Sequence, residues 1–214
     1  MANINGAFGL RPLAKVGSNA NSTGVTGYTQ YEIASGNTNA IYHGTAVIPL
    51  STGYIDVVGA AAGGTVRLLG AFMGCEYVAS TTGKPTWSNY WPGSGADSNH
   101  PVKAWIADDP NEVFVIATDA TWTSKATARA GVFAKANFAS MTSGSTTSGL
   151  SSGTLAVSTI ATTLTLNMRI MGWVDDPSNA DFSAAGIGAI VRLNNHFNSG
   201  MPANSSGTGT NIGI

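Results

Sequence analysis

Charge is what this sequence has least of. Asp, Glu, Lys and Arg make up 10% of its 214 residues, where a soluble domain averages about 25%. The ten basic and eleven acidic residues nearly cancel, to a net charge of −1. They are also dispersed, so no stripe neutralises a phosphate backbone, and nucleic acid is disfavoured as a partner. Cysteine is almost absent too: Cys75 stands alone, which excludes an internal disulfide and suits a reducing compartment. Its neighbours Met73, Tyr77 and Val78 mark it as a buried strand thiol. No apolar run approaches the roughly eighteen residues of a membrane helix. Residues 1–8 lack the basic region and apolar core of a secretion leader, so we expect a chain made and kept in solution. The triplets Asn21-Ser22-Thr23 and Asn204-Ser205-Ser206 have glycosylation spacing, but without a leader they carry little meaning.

What remains is enough to fold. A hydrophobic fraction of 43% can build a core, while Ser, Thr, Asn and Gly take over the surface role that charges usually fill. Such a surface suits close contact, since burying a hydroxyl or amide costs far less than burying an ion. A monomer with a hydroxyl-rich skin would share this composition.

Along the chain, short β-like runs broken by Gly, Asn and Pro dominate. Residues 1–27 show neither a period of 2 nor one of 3.6 and read as an extended N-terminal arm. Strand patterns follow at 28–33, 40–50, 54–58, 65–79, 102–107 and 112–118. The continuous run Val113-Phe114-Val115-Ile116 implies a strand covered on both faces. Between them, 84–101 holds Trp87, Tyr90, Trp91 and three prolines, and reads as a long surface loop. Residues 125–138 fit a helix by composition and a strand by the alternation of Ala130, Val132, Ala134 and Ala136. Residues 136–168 carry no charge, and 142–154, nearly pure Ser, Thr and Gly, read as a flexible or partner-ordered loop. The cleanest alternation, 163–174, reads as one strand, and 189–193 as the last. The fold class is therefore mainly β: a single antiparallel β-sandwich or jelly-roll-like barrel over residues 28–197, with long loops and at most one or two short helices. A Gly/Ser/Asn-rich tail spans 198–214.

Each string that resembles a catalytic site fails on context. Gly149-Leu150-Ser151-Ser152-Gly153 matches the G-x-S-x-G elbow of hydrolases, with Asp175 and His196 following in the right order. The elbow needs an apolar strand before the Ser and a helix after it, but here a Ser/Thr run precedes and a β-like run follows. His43, His100 and His196 form no metal-ligand spacing, and Cys75 has no partner thiol. The echo Asp108-Asp109-Pro110 and Asp175-Asp176-Pro177 reads as two reverse turns leaving a sheet. Neither copy has the further acids of a calcium loop. Gly207-Thr208-Gly209 lacks the following helix of a nucleotide loop. We expect no enzyme, no catalytic residue, no metal and no cofactor. Trp87, Tyr90 and Trp91 point to packing or contact, with sugar stacking as the alternative.

Three segments, taken in order, resemble one family. They are Asn5-Gly6-Ala7-Phe8-Gly9-Leu10-Arg11-Pro12, then Val102 through Pro110 with Val113-Phe114, then Met168 through Pro177 leading to Ile190-Val191-Arg192-Leu193-Asn194. Their order is similar to that in head decoration, or cement, proteins of tailed bacteriophages, particularly marine podovirus-like ones. The resemblance implies a virion protein made in the host cytoplasm. Its partner would be the major capsid protein, bound on the outer shell surface, often as a homotrimer. On that reading Phe8, Leu10 and Pro12 are apolar anchors in the arm, Arg11 is a pairing charge, and Trp87, Tyr90 and Trp91 are further contacts. A receptor- or glycan-binding phage surface module is the alternative, and the major capsid protein itself is less favoured because the chain is short and shows no long spine helix.

Overall fold

The computed structural model describes residues 3, 6–16, 27–59 and 67–199. Its strands in chain order are β1 (Arg11–Lys15), β2 (Thr29–Ile33), β3 (Ala46–Pro49), β4 (Ile55–Val57), β5 (Gly70–Val78), β6 (Pro85–Ser88), β7 (Val102–Ala107) and β8 (Glu112–Ala117). One α-helix among the described residues, α1 (Lys125–Ala130), precedes β9 (Lys135–Ala136), β10 (Phe138–Ala139), β11 (Thr154–Leu155), β12 (Met168–Trp173) and β13 (Gly188–Leu193). A five-stranded sheet runs β1-β8-β13-β12-β9, and a six-stranded one runs β2-β7-β5-β3-β4 with β6 also paired to β5. All these pairs are antiparallel.

The molecule is the mainly-β, sandwich-like domain that the composition implies. Phe114, Ile116, Met168, Ile170 and Val191 of the smaller sheet share one buried cluster with Ala46, Ala71 and Ala107 of the larger. The opposite face of the larger sheet is buried separately: Val47, Phe72, Cys75, Ala104 and Ile106 pack under Ile33, Ile41 and Trp91. The run Val113–Ile116 lies in β8, flanked by β1 and β13.

Four expectations are corrected. Residues 11–15 of the expected arm are an edge strand, and Leu10 just before it is fully buried in the core. Gly9 makes that entry possible at φ +71, in the left-handed region, where a Cβ would collide with the Gly44 carbonyl oxygen. Within 84–101, β6 is regular structure; Pro85 is tolerated because it opens a strand paired on one side only. The neutral stretch 142–154 is stitched in by backbone bonds such as Ser145 N–H to Leu150 C=O (2.9 Å) and Ser152 N–H to Ser143 C=O (2.8 Å), and Ser151 is buried. Of 163–174, only Met168 onward is strand; Leu164 sits in an exposed turn whose carbonyl is held by the Asn194 amide at 2.8 Å.

The helix-or-strand ambiguity at 125–138 resolves into both. Ser124 caps α1 by accepting the Thr127 N–H at 3.2 Å, the helix stops at Gly131, and β9 follows. Residues 17–26 and 200–214, with both glycosylation-like triplets, the Gly207-Thr208-Gly209 string and nearly all of the expected tail, lie outside the described residues.

Candidate functional site

The smaller sheet covers only one end of the larger sheet's inner face. Along β7, Val102, Ala104 and Ile106 turn to the far cluster, while Lys103, Trp105 and Ala107 share the inner face. Ala107 is covered by the sandwich; Lys103 and Trp105 lie beyond the covering strands. On β5 the matching residues are Gly74, opposite Trp105, and Glu76, opposite both Lys103 and Trp87 of β6. Trp87 and Trp105 therefore approach each other from the two sides of β5. Their rings stack with centroids 4.7 Å apart and planes 21° off parallel. Gly74, at φ +138 within a bulge of β5, leaves the strand between them without a side chain.

The result is an aromatic ledge bordering an open groove of about 490 Å³, walled by Trp87, Trp105, Tyr28, Ser88 and Asn89 over Met73 and Gly74. Trp87 is 68% exposed. Among the described residues no charged side chain lines the groove, and the nearest pair on this face, Lys103 with Glu76, is self-neutralised at 3.8 Å.

A second unfinished surface is the β1 edge. Among the described residues no strand pairs with its outer side. A register shift between Pro12 and Ala14 falls at Leu13, which is 53% exposed, and Val16 just beyond is 48% exposed. The Arg11 guanidinium lies 4.5 Å from the centre of the Phe8 ring.

The predicted contact residues divide accordingly. Trp87, Phe8, Arg11 and Pro12 reach the surface or its margin. Leu10 and Trp91 are fully buried and cannot be outward anchors: Leu10 fills the sandwich core, and Trp91 packs at the edge of Tyr77 and donates its indole N–H to Asn37 C=O at 3.2 Å. Tyr90 stacks on Tyr42 at 5.5 Å. Trp105, Tyr28, Leu13 and Val16 went unread. For Trp105 the signal was its alternation with Lys103 on the polar face of β7.

Ser151 does not stand on an elbow. Its Oγ is buried and accepts the Gly153 N–H at 3.0 Å, its own N–H goes to His43 C=O at 2.9 Å, and β11 rather than a helix follows. His196 bridges Leu68, and its Nδ1 accepts the Asn198 N–H at 3.0 Å; burial holds the ring below its usual pKa. The first Asp-Asp-Pro copy is a turn, as its sequence implies, whereas the second opens a short 3₁₀ helix, Pro177–Asn179, with Asp176 as its N-cap. Asp109 accepts the Asn111 N–H at 2.7 Å and Asp176 the Ser178 N–H at 2.9 Å. Among the described residues no three His, Cys, Asp or Glu side chains converge as a metal site.

One titratable group stands apart. Glu112 opens β8, is 2% exposed, and its Oε1 has no hydrogen-bond partner. Lys15, its register neighbour on β1, forms its ion pair with Asp109 at 2.6 Å. Burial pushes the Glu112 carboxyl up to about 7, against a smaller opposing pull from Lys15.

Compared with family models, with curated proteins and with solved structures, the chain matches none.

Proposed function

We propose that this protein is a structural virion subunit that binds the outer surface of an assembled bacteriophage capsid and braces it, as a decoration or cement protein acting as a homotrimer. The observation that carries the reading is the β1 edge. An open sheet edge presenting exposed Leu13 and Val16 can receive another chain, while Arg11, Pro12, Lys15 and the register shift restrict which strands can pair along it and so favour a specific partner over indiscriminate pairing. The adjacent Arg11–Phe8 pair supplies one fixed charge beside the apolar strip. The segments behind the phage resemblance fall on the start of β1, part of β8, β12 and most of β13 in this sheet, and on β7 in the other. The role is adhesive rather than catalytic. Each copy buries modest area, and repetition over a lattice multiplies it.

Deleting residues 2–15 would test this poorly, because the deletion removes Leu10 from the core. The substitutions Leu13→Glu and Val16→Glu leave the core intact and place charges on the edge. Mixed with undecorated shells, the wild-type chain should sediment with them in many evenly spread copies, and the double variant should lose most of that occupancy while remaining folded by circular dichroism. Unchanged occupancy of the variant, or a few copies confined to vertices or tail, would overturn the assignment.

A further inference from the structure

We infer that the Trp87–Trp105 ledge is a binding site for a neutral pyranose, the terminal or internal sugar of an uncharged glycan. The site is independent of the capsid reading, since it lies on the other sheet and needs no shell. Four observations carry it together. The stacked indole pair offers the open face of Trp87, a broad apolar plane suited to the C–H face of a sugar ring. The groove beside it, about 490 Å³, lies within the roughly 300–1,000 Å³ of small-ligand sites, whereas a protein partner needs about 800 Å² of matched surface on each side. Tyr28, Ser88 and Asn89 edge the apolar floor. The Ser88 hydroxyl is engaged with Tyr90 C=O at 2.6 Å and one Asn89 amide N–H with Ser148 C=O at 2.7 Å, so the Tyr28 hydroxyl and the rest of the Asn89 amide are the groups that can meet ring hydroxyls.

Charge decides the class. A nucleotide would also stack on indole, but its phosphate needs a cation, and Lys103 already faces Glu76. Sialic or uronic acids meet the same obstacle, and an amino sugar cation finds no carboxylate among the lining residues. A neutral ring is the occupant left. The ledge also costs the protein something, because an exposed indole over a glycine-bared strand forgoes burial that a polar residue at position 87 would not need.

The test titrates the whole chain with maltohexaose, cellohexaose and chitohexaose, following tryptophan fluorescence, and probes an array holding both neutral and anionic glycans. Expected are saturable binding to at least one neutral glycan, weak or absent binding to sialylated, uronic-acid and phosphorylated ones, and a loss of about tenfold or more in affinity for Trp87→Ala. Phe133→Ala, on the other sheet beside β9, should bind as wild type. Trp87 is exposed, so its variant should fold, and an unchanged far-ultraviolet spectrum checks this. The inference is overturned if no neutral glycan binds, if Trp87→Ala binds equally well, or if anionic glycans bind as tightly as neutral ones. A concentration-dependent dimer abolished by Trp87→Ala would also overturn it, showing the ledge to be a contact between copies.

Discussion

Replacing Glu112 by Gln should stabilise the protein above neutral pH and leave it nearly unchanged in acid. In the unfolded chain this carboxyl has the ordinary value of 4.5; burial in the fold raises it to about 7. Between those values the folded chain holds a proton that the unfolded chain has released. Unfolding therefore sheds a proton, and stability falls as pH rises across that window. Below the window both states are protonated and the penalty vanishes; above it the folded state must carry a buried carboxylate. A shift of about 2.5 units at about 1.4 kcal/mol each bounds the penalty near about 3.5 kcal/mol, and relaxation around the ion brings the expected effect to roughly 1–3 kcal/mol. For a chain of this length that is a rise in Tm of about 2–4 °C per kcal/mol. Gln keeps the shape and polarity of the protonated acid. His43 and His196 titrate the opposite way, since burial lowers both and their neutral forms favour the fold as pH rises through the usual histidine range. The clean readout is therefore the difference between Glu112→Gln and wild type in urea melts from pH 4 to 8. It should be near zero at the acid end and grow to its full value by pH 8. A flat difference, or a variant less stable at pH 8, would show that Glu112 is solvated or paired in the fold and refute the reasoning.

Other outcomes follow from the burial pattern. Leu10→Ala should cost about 2–5 kcal/mol in chemical denaturation, the range for a filled core site, while Arg11→Ala next to it should cost less than about 1 kcal/mol; a near-neutral Leu10→Ala would mean that the segment is a free arm after all. Cys75 is buried at the far cluster, with its thiol pushed up to about 12 by burial. Its ordinary value in the unfolded chain is about 9.0, so at pH 8 the thiolate is far scarcer in the fold than in the unfolded chain. Ellman's reagent should therefore label the native protein orders of magnitude more slowly than the urea-unfolded one, and comparable rates would place Cys75 at the surface.

The sequence reading went furthest where alternation and tertiary burial agree. Along β7 and β13 the period-2 pattern and the buried face coincide, so both strands were legible within a residue or so. It went astray where one residue sets local geometry. The alternation beginning at Thr163 is as regular as any in the chain, yet Asn194 captures the carbonyls of Leu164 and Leu166 and turns that half away from the sheet. The Ser/Thr/Gly stretch looked too polar to be ordered, but its backbone groups bond one another and its glycines let it pass close to Tyr42 and Asn89. The expected arm hid a strand because Pro12 and a bulge break its period. The ledge was half legible: Trp87 was picked out, but its partner lies eighteen residues away by sequence, and only the register of β5 with both neighbours brings the two indoles together.

The scarcity of charge also looks different once the turns are mapped. Asp176 is held below the usual carboxylate range by the Asn179 amide and the Ser178 N–H, and Asp181 by the Ser183 hydroxyl and N–H. Asp97 receives the Asn99 N–H and then His100, while Asp109 receives Lys15 and the Asn111 N–H. These acids shape turns, and their oxygens are taken up by bonds within their own loops and, for Asp109, also by Lys15 of β1. Asp108 likewise accepts the hydroxyls of Thr29 and Tyr31. Much of an already small acidic complement is thus spent on local structure, and the surface left for other molecules is more neutral than composition alone conveys. A surface of that kind cannot steer a partner over long range. It can hold one only at contact, through apolar and hydrogen-bonded matching. The β1 edge and the indole ledge fit this constraint at two scales: the edge offers main-chain bonds and two aliphatic side chains to another protein, and the ledge offers a plane and a polar rim to a ring. Neither depends on attraction between ions, so the same chemistry that makes the sequence poor in charge suits it to both kinds of contact.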